Sequence, residues 1–405
     1  MDYLKQPFGF KVRKVLRYLR MYGPSRTYMK VLGQKHMHKK YERLPRQFGK
    51  RQKSHTVGII GCGNYPFSTI AYFLRKEFGD VIASCMDIDI NRAASFSRRH
   101  RVPLYTDNAN DIIDDNKIRL VYIASNHASH AEYAIQAIES GKDVYIEKPH
   151  VVSIDQLHRL SKCMRRHNRK VFLGFNRPGS RLGILIRKYC AGQDSPGMYN
   201  WFIAGHAIDP DHWYFSEGEG GRVLGNLCHW TDFTLRLVPM ESVFPVTITP
   251  TRHIKSDCDI AVSYVFADGS VGTITFSSKG HTFEGVRESF RAQKGNVLIT
   301  MDDFKRLTVE IIARKRVYDN AYRDHGHKAN VVGAYKNVHR DEAYHQESEI
   351  SYITNTAWLF LKTKESLESN ERITIDSYEK SNPSSNRALP KARLEKSRSP
   401  QHARR

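Results

Sequence analysis

The chain has 405 residues, enough for two or three domains with their own cores, and its 40% hydrophobic and 26% charged residues are ordinary for a soluble globular protein. Its net charge of +22 sits at the two ends: residues 1–55 hold sixteen Lys/Arg against two Asp/Glu, and residues 380–405 hold eight against one. The body is therefore near neutral, so a nucleic-acid role is not expected of it, and no apolar run approaches the ~20 residues of a membrane span.

In chain order, residues 1–54 form a basic extension. Val12, Val15, Leu16 and Leu19 follow helical spacing among Lys11, Arg13, Lys14, Arg17 and Arg20, and Gly23-Pro24 ends the pattern. Such a helix can lie on an anionic membrane surface, or dock its apolar stripe on the protein's own body or a second subunit. The opening has no uninterrupted apolar stretch of the secretory kind. From Thr56, short apolar strands (56–60, 81–87, 118–125, 143–149, 170–175) alternate with helical faces such as Ala131, Ala134, Ile135 and Ile138. Ser153 and Gln156 have capping-box spacing. This alternation implies an α/β domain with a doubly wound parallel sheet over residues 55–174.

Past residue 175 the texture changes to long alternating segments. Hairpins are expected to turn at Asp268-Gly269 and Gly295-Asn296, and Ile350, Ile353, Ala357, Phe360 and Leu361 mark a late helix. Residues 175–376 should form an α+β domain with an open, mostly antiparallel sheet, and 377–405 a disordered basic tail. The six cysteines are widely spaced with no C-x-x-C pair, which suits reduced thiols in a cytosolic protein; no metal site is expected.

Three segments can carry chemistry. GIIGCGNYP (58–66) closes a strand and opens a helix, with Gly61 and Gly63 placed for a dinucleotide loop but Pro66 where a third glycine would stand. Asp87 ends the next strand, where a carboxylate binds a ribose diol and disfavours a 2′-phosphate, so NAD is preferred to NADP; Arg92 weakens that preference. The other reading is a plain tight turn. EKP (147–149) lies at the C-terminal edge of a parallel strand, where Lys148 could stabilise negative charge on a substrate oxygen, or simply sit in a solvated turn. GGRVLGNLCHWTD (220–232) puts Asn226, His229 and Asp232 on one helical face; His229 is either an acid/base or a core histidine partnered by Asp232.

Together with SNHASH (125–130), GFNRP (174–178), DHWYF (211–215) and DHGHK (324–328), these motifs resemble the Gfo/Idh/MocA oxidoreductases, the glucose–fructose oxidoreductase and inositol dehydrogenase relatives. The resemblance runs from about 56 to 376. It implies a Rossmann domain, an open sheet that often mediates oligomer contacts, and hydride transfer at a hydroxyl carbon of a sugar, cyclitol or nucleotide-linked sugar. It implies that Lys148 and His229 are catalytic. Cofactor contacts fall on Gly61, Gly63, Asn64, Tyr65, Asp87, Ser125, His127, His130, Glu147 and Lys148. Substrate contacts fall on Arg177, His212, Trp213, Asn226 and Asp232.

The sequence departs from the family where an acid commonly precedes the histidine: Gly225 and Asn226 stand there, so proton transfer would rest on His229 or Lys148. The readings are thus an NAD(P)-dependent oxidoreductase, cytoplasmic or peripheral to the inner membrane face and homo-oligomeric, or a cofactor-binding but non-catalytic scaffold or sensor in polysaccharide metabolism.

Overall fold

A computed structural model describes residues 6–251, 259–280, 283, 285–340 and 344–383. Cys258 and most of the expected disordered tail lie outside the described residues.

The first domain holds a six-stranded, wholly parallel sheet: β1 (Val57–Ile60), β2 (Ile82–Met86), β3 (Leu104–Thr106), β4 (Leu120–Ile123), β5 (Asp143–Ile146) and β6 (Val171–Leu173), in the order β3-β2-β1-β4-β5-β6. Its crossovers carry α2 (Ala71–Phe78), α3 (Ile90–His100), α4 (Asn110–Ile113), α5 (His127–Glu139) and α6 (Ile154–Arg166). Both faces are covered, so β1, β2 and β4 are buried along their whole length rather than alternately. Ser153 caps α6 by accepting from Gln156 N (3.2 Å), as its spacing predicts.

After α7 (Arg181–Ala191) the chain enters a nine-stranded sheet built from β7 (Gly197–Ala204), β8 (Val246–Pro250), β9 (Ile260–Val265), β10 (Val271–Ser277), β11 (Arg287–Lys294), β12 (Val297–Asp302), β13 (Arg306–Ile311), β14 (Arg314–Asp319) and β15 (Ile373–Ile375). The order is β14-β13-β12-β11-β7-β10-β9-β8-β15, antiparallel except where β7 meets β10. Both expected hairpins are present, with Gly269 and Gly295 at positive φ in their turns. Tyr199, Trp201 and Ile203 point into the core against α8 (Cys228–Leu235) and its surroundings, while Met198 and Phe202 on the opposite face are 65% and 52% exposed. α9 (His327–His339) returns to the first domain, where Val331 and Ala334 join its core. The long α10 (Gln346–Ser369) buries the expected stripe from Ile350 to Leu361 against α6 and α8. A short α11 (Tyr378–Ser381) buries Tyr378, whose hydroxyl meets His158 Nδ1 at 2.7 Å, so ordered structure continues past the expected boundary at 377.

The N-terminal extension departs from expectation. One helix, α1 (Phe8–Met37), spans it, kinked at Gly23 (φ 76°, ψ 170°) instead of ending there. The expected apolar stripe does not dock: Val12, Val15 and Leu16 are 39%, 37% and 53% exposed. Other residues dock: Met21 of the first arm is buried with its carbonyl accepting from Arg323 N (2.8 Å), and the second arm packs on the first domain. Met29 enters the core beside Phe67 and Phe96, contributing roughly 2 kcal/mol by its burial, and His36 stacks on Phe67 at 4.1 Å. Among the described residues no helix is long and apolar enough to cross a membrane.

Candidate active site

The glycine loop leaves β1 at Gly61, whose φ of +92° is left-handed and whose added Cβ would lie 2.5 Å from the Ala124 carbonyl oxygen. Gly63 has open space where a Cβ would project. The helix begins directly after it, Phe67 N donating to Gly63 O at 3.1 Å. Pro66 sits in the first turn, where its missing N–H costs nothing, and starts a wide turn closed by Ala71 N to Pro66 O. The loop therefore turns tightly at Gly61 and carries no side chain at Gly63 before a helix N-terminus, as a diphosphate site requires. Asp87 Oδ2 accepts from Cys62 N (2.8 Å) and Oδ1 from Asp89 N (2.9 Å), which fixes the carboxylate beside the loop with lone pairs remaining for a ribose diol. Arg92 is turned to Asp89 (3.6 Å), which also pairs with Lys40. These residues fit NAD.

At the C-terminal edge of β5, the Lys148–Pro149 peptide is cis. Lys148 Nζ donates to the Gly225 carbonyl at 2.6 Å. Burial alone would lower its pKa, but Tyr214, Cys228 and Glu147 hold it above the ordinary lysine value, so it is an ammonium at neutral pH. Glu147 is buried, its pKa raised by that burial, with Oε2 accepting from Lys148 N (3.1 Å) and Oε1 lying 3.2 Å from the Tyr145 hydroxyl. Its oxygens thus tie the Lys148 backbone to Tyr145. Tyr65 packs beside it and meets His327 Nδ1 at 3.4 Å.

The 220–232 segment forms a second wide turn, Val223–Leu227, running into α8; such bulges occur often at functional sites. Three buried polar atoms here have no hydrogen-bond partner among the described residues, His229 Nδ1, Asn226 Oδ1 and Asp232 Oδ2, the last in an ion pair with Arg236. Burial, reinforced by Arg177 and Lys148, holds His229 well below the ordinary imidazole range, so the ring is neutral at pH 7. Asp232 does not partner it. Its carboxylate accepts from Tyr352 (2.5 Å) and Thr356 (3.0 Å) and pairs with Arg236 (3.3 Å), which turns it toward α10 and corrects its assignment to substrate.

Arg177 is likewise engaged inside the protein: Nε and Nη2 donate to Glu288 at 2.8 and 2.7 Å, so it anchors β11 and does not face a substrate. His130 sets its ring nitrogens against the Pro149 (2.8 Å) and Ser125 (3.2 Å) carbonyls and ties the two edge loops together. Ser125 Oγ meets Ser129 Oγ at 2.6 Å.

The loop before α8 supplies Glu219 and Tyr214, which sequence reasoning missed, beside the expected His212 and Trp213. Glu219 accepts from Asn126 Nδ2 (2.6 Å) and Ala128 N (3.2 Å) at the start of α5, and its carbonyl accepts from His127 Nδ1 (2.9 Å). Trp213 and Tyr214 lie against the His127 ring at 4.6 and 4.8 Å. His212 caps their short turn, accepting from Tyr214 N (3.2 Å). A Cβ on Gly225 would lie 2.7 Å from the Tyr214 ring and 3.0 Å from that of His127. The position without a carboxylate is thus filled by an aromatic ring from a distant loop, which no local spacing could announce. Gly225→Asp is expected to reduce any turnover, because it must displace Tyr214; a faster variant in steady-state assays would contradict this packing.

Burial also depresses other histidines, among them His100 to about 3, His127 to about 2, His130 to about 4 and His150 to about 3. The unfolded chain protonates them near 6.5 and the folded chain does not, so their stability contribution is full above 6.5. It is lost as pH falls toward the folded values, at about 1.4 kcal/mol per pH unit for each ring. Denaturant melts between pH 7 and 5 should show this steep loss.

A parallel sheet with a glycine loop, an acidic residue after the second strand and an edge lysine is the arrangement of dinucleotide-binding folds. Residues 55–175 match the model of an oxidoreductase family with an NAD-binding Rossmann fold. Oxidoreductase P35 of Formosa agariphila is 36% identical over 114 residues, 28% of this chain and 36% of that protein. Inositol 2-dehydrogenase of Ralstonia nicotianae is 31% identical over 125 residues, 30% of this chain and 37% of that protein. The chain thus spans little more than a third of the length of these relatives. Among solved structures, levoglucosan dehydrogenase in complex with NADH and L-sorbose superposes with a TM-score of 0.67 at 18% identity, covering 79% of this chain and 98% of that one, which shows the shared two-domain fold.

Proposed function

We propose that the protein is an NAD-dependent oxidoreductase that moves a hydride between the nicotinamide and a hydroxyl-bearing carbon of a sugar or cyclitol. The observation that carries this is the cluster at the sheet edge: the Lys148 ammonium beside two buried, unpartnered acceptors, His229 Nδ1 and Asn226 Oδ1. Bound NAD supplies the hydride acceptor. Lys148 donates to the substrate oxygen and stabilises the charge that develops there. His229, neutral, accepts the hydroxyl proton at Nδ1, and Asn226 orients a neighbouring hydroxyl. The substrate class is supported by the inositol and levoglucosan dehydrogenases among the similar proteins.

The test is NADH fluorescence titration followed by NADH formation across a panel of cyclitols and sugars. Turnover of at least one member is expected. Tight NADH binding with no turnover would favour the non-catalytic sensor.

Homo-oligomerisation is supported by the sheet's outer face, where Met198, Phe202, Val265, Leu298 and Val317 are all exposed. Phe202→Glu is expected to shift the mass by light scattering to that of a smaller species; an unchanged mass would count against this face.

A further inference from the structure

Helix α5 begins at His127, beside the candidate active site, so its last residue, Glu139, lies at the opposite edge of the parallel sheet. Helix α6 packs against α5 and ends there too, with Cys163 in its last turn and His167 as its cap residue. Several contacts fix these two helix ends. Arg169 Nη1 donates to the Gly141 carbonyl at 3.1 Å, which ties the chain after α6 to the chain after α5. Gln346 Nε2 donates to the carbonyls of Met164 (2.9 Å) and His167 (3.3 Å), which pins the end of α6 to the start of α10. His167 N donates to the Cys163 carbonyl at 3.1 Å.

On this fixed frame a carboxylate oxygen of Glu139, Cys163 Sγ and a ring nitrogen of His167 all lie within 4.8 Å of one another. Cys163 and His167 are four residues apart and share a face, while Glu139 reaches them from the neighbouring helix. Glu139 is exposed, His167 half-buried and Cys163 buried, so an ion can enter from solvent and still meet a sheltered sulfur. The thiol meets the Ile135 carbonyl at 3.8 Å, a weak contact that a metal can replace. Among the described residues neither the Glu139 carboxylate nor the His167 ring is in a hydrogen bond or an ion pair. Both helices end here, and a helix C-terminus favours a cation.

We propose that Glu139, Cys163 and His167 bind a zinc-type divalent ion that clips α5 to α6 at the sheet edge opposite the active site. Thiolate, imidazole and carboxylate together form a zinc donor set, whereas magnesium and calcium take oxygen ligands; water completes the tetrahedron. A tetrahedral zinc ion holds its ligand atoms roughly 3.5 Å apart, so closure needs a shift of about 1 Å, supplied by the side chains of Glu139 and His167. Burial and Glu139 push the free thiol up to about 12, so the sulfur keeps its proton until the ion binds and the proton leaves to solvent. No sequence spacing announces this site, because its ligands come from two helices. It stands independently of the dehydrogenase reading.

The test uses the reduced, chelator-treated full chain, with Co²⁺ as the spectroscopic probe and Zn²⁺ for calorimetry and melting. Wild type should show a thiolate-to-cobalt charge-transfer band that Zn²⁺ displaces, and excess Zn²⁺ should raise its melting temperature by mass action. Cys163→Ser should lose the band. Glu139→Gln and His167→Gln should each bind Zn²⁺ about 10-fold more weakly or worse, since even an outer-shell partner is worth that much. Circular dichroism checks that each variant is folded. Should Cys163→Ser fail to fold, the band in wild type and the affinity of Glu139→Gln, a change at an exposed position, still decide the matter. Wild type with no charge-transfer band overturns the site. A band that survives Cys163→Ser, or Zn²⁺ affinity unchanged in either of the other two variants, does the same.

Discussion

Lys148→Ala is expected to lower kcat by about 10³-fold while leaving NADH affinity within about threefold, because in the proposed reaction its ammonium stabilises charge on the substrate oxygen. Lys148 Nζ already points across the cleft to the Gly225 carbonyl, and the tyrosine and glutamate around it keep it charged. Removing it takes away the ammonium that faces the cluster of Asn226 and His229. Lys148→Arg should not restore the rate: a planar guanidinium is larger and cannot replace a compact point charge at one oxygen. Stopped-flow and steady-state kinetics on a turned-over substrate give the comparison. A variant losing less than tenfold in kcat would remove Lys148 from the chemistry.

Glu288→Ala carries the largest expected stability effect. The carboxylate is fully buried and accepts from Arg177 Nε (2.8 Å), Arg177 Nη2 (2.7 Å) and Trp230 Nε1 (2.8 Å). Cutting it out leaves a buried guanidinium without its counter-charge, a loss of about 3–5 kcal/mol, with the Trp230 donor also unsatisfied. Glu288→Gln keeps acceptor geometry on one side and should lose less. Urea unfolding followed by tryptophan fluorescence reads both, and an alanine variant within 1 kcal/mol of wild type would contradict the network described here.

The parallel sheet was legible because its strands are short apolar runs separated by helical faces, and burial on both sides leaves no other reading for segments such as 57–60 and 120–123. The edge strand Leu104–Thr106 was not legible: three residues carry too little periodicity. Lys148, His229 and Asn226 could be found from local spacing, since each sits on an element whose end the sequence marks. Asp232 and Arg177 were misread for a common reason. Both are polar residues next to site motifs, and only tertiary packing supplied their partners, Tyr352 and Thr356 from α10 and Glu288 from β11. Glu219, Tyr214 and the docking of α1 were invisible for the same cause. Helical spacing pointed to Val12, Val15 and Leu16, yet the contacts are made by Met29, Gly33 and His36, which form no apolar stripe.

The position of Gly225 shows how a departure from a motif can be read structurally. The ring of Tyr214 occupies the space an acid would need, and the backbone carbonyl of Gly225 serves Lys148 directly. An aromatic ring from the preceding loop thus stands where a side chain at 225 would project.

The central claim is tested most directly by following a label. A panel substrate deuterated at its carbinol carbon is incubated with NAD and the protein, and the nicotinamide ring is then examined by NMR. Deuterium carried to the ring by wild type and absent with Lys148→Ala is the result predicted here; NADH bound tightly but no label transferred from any sugar or cyclitol would contradict it.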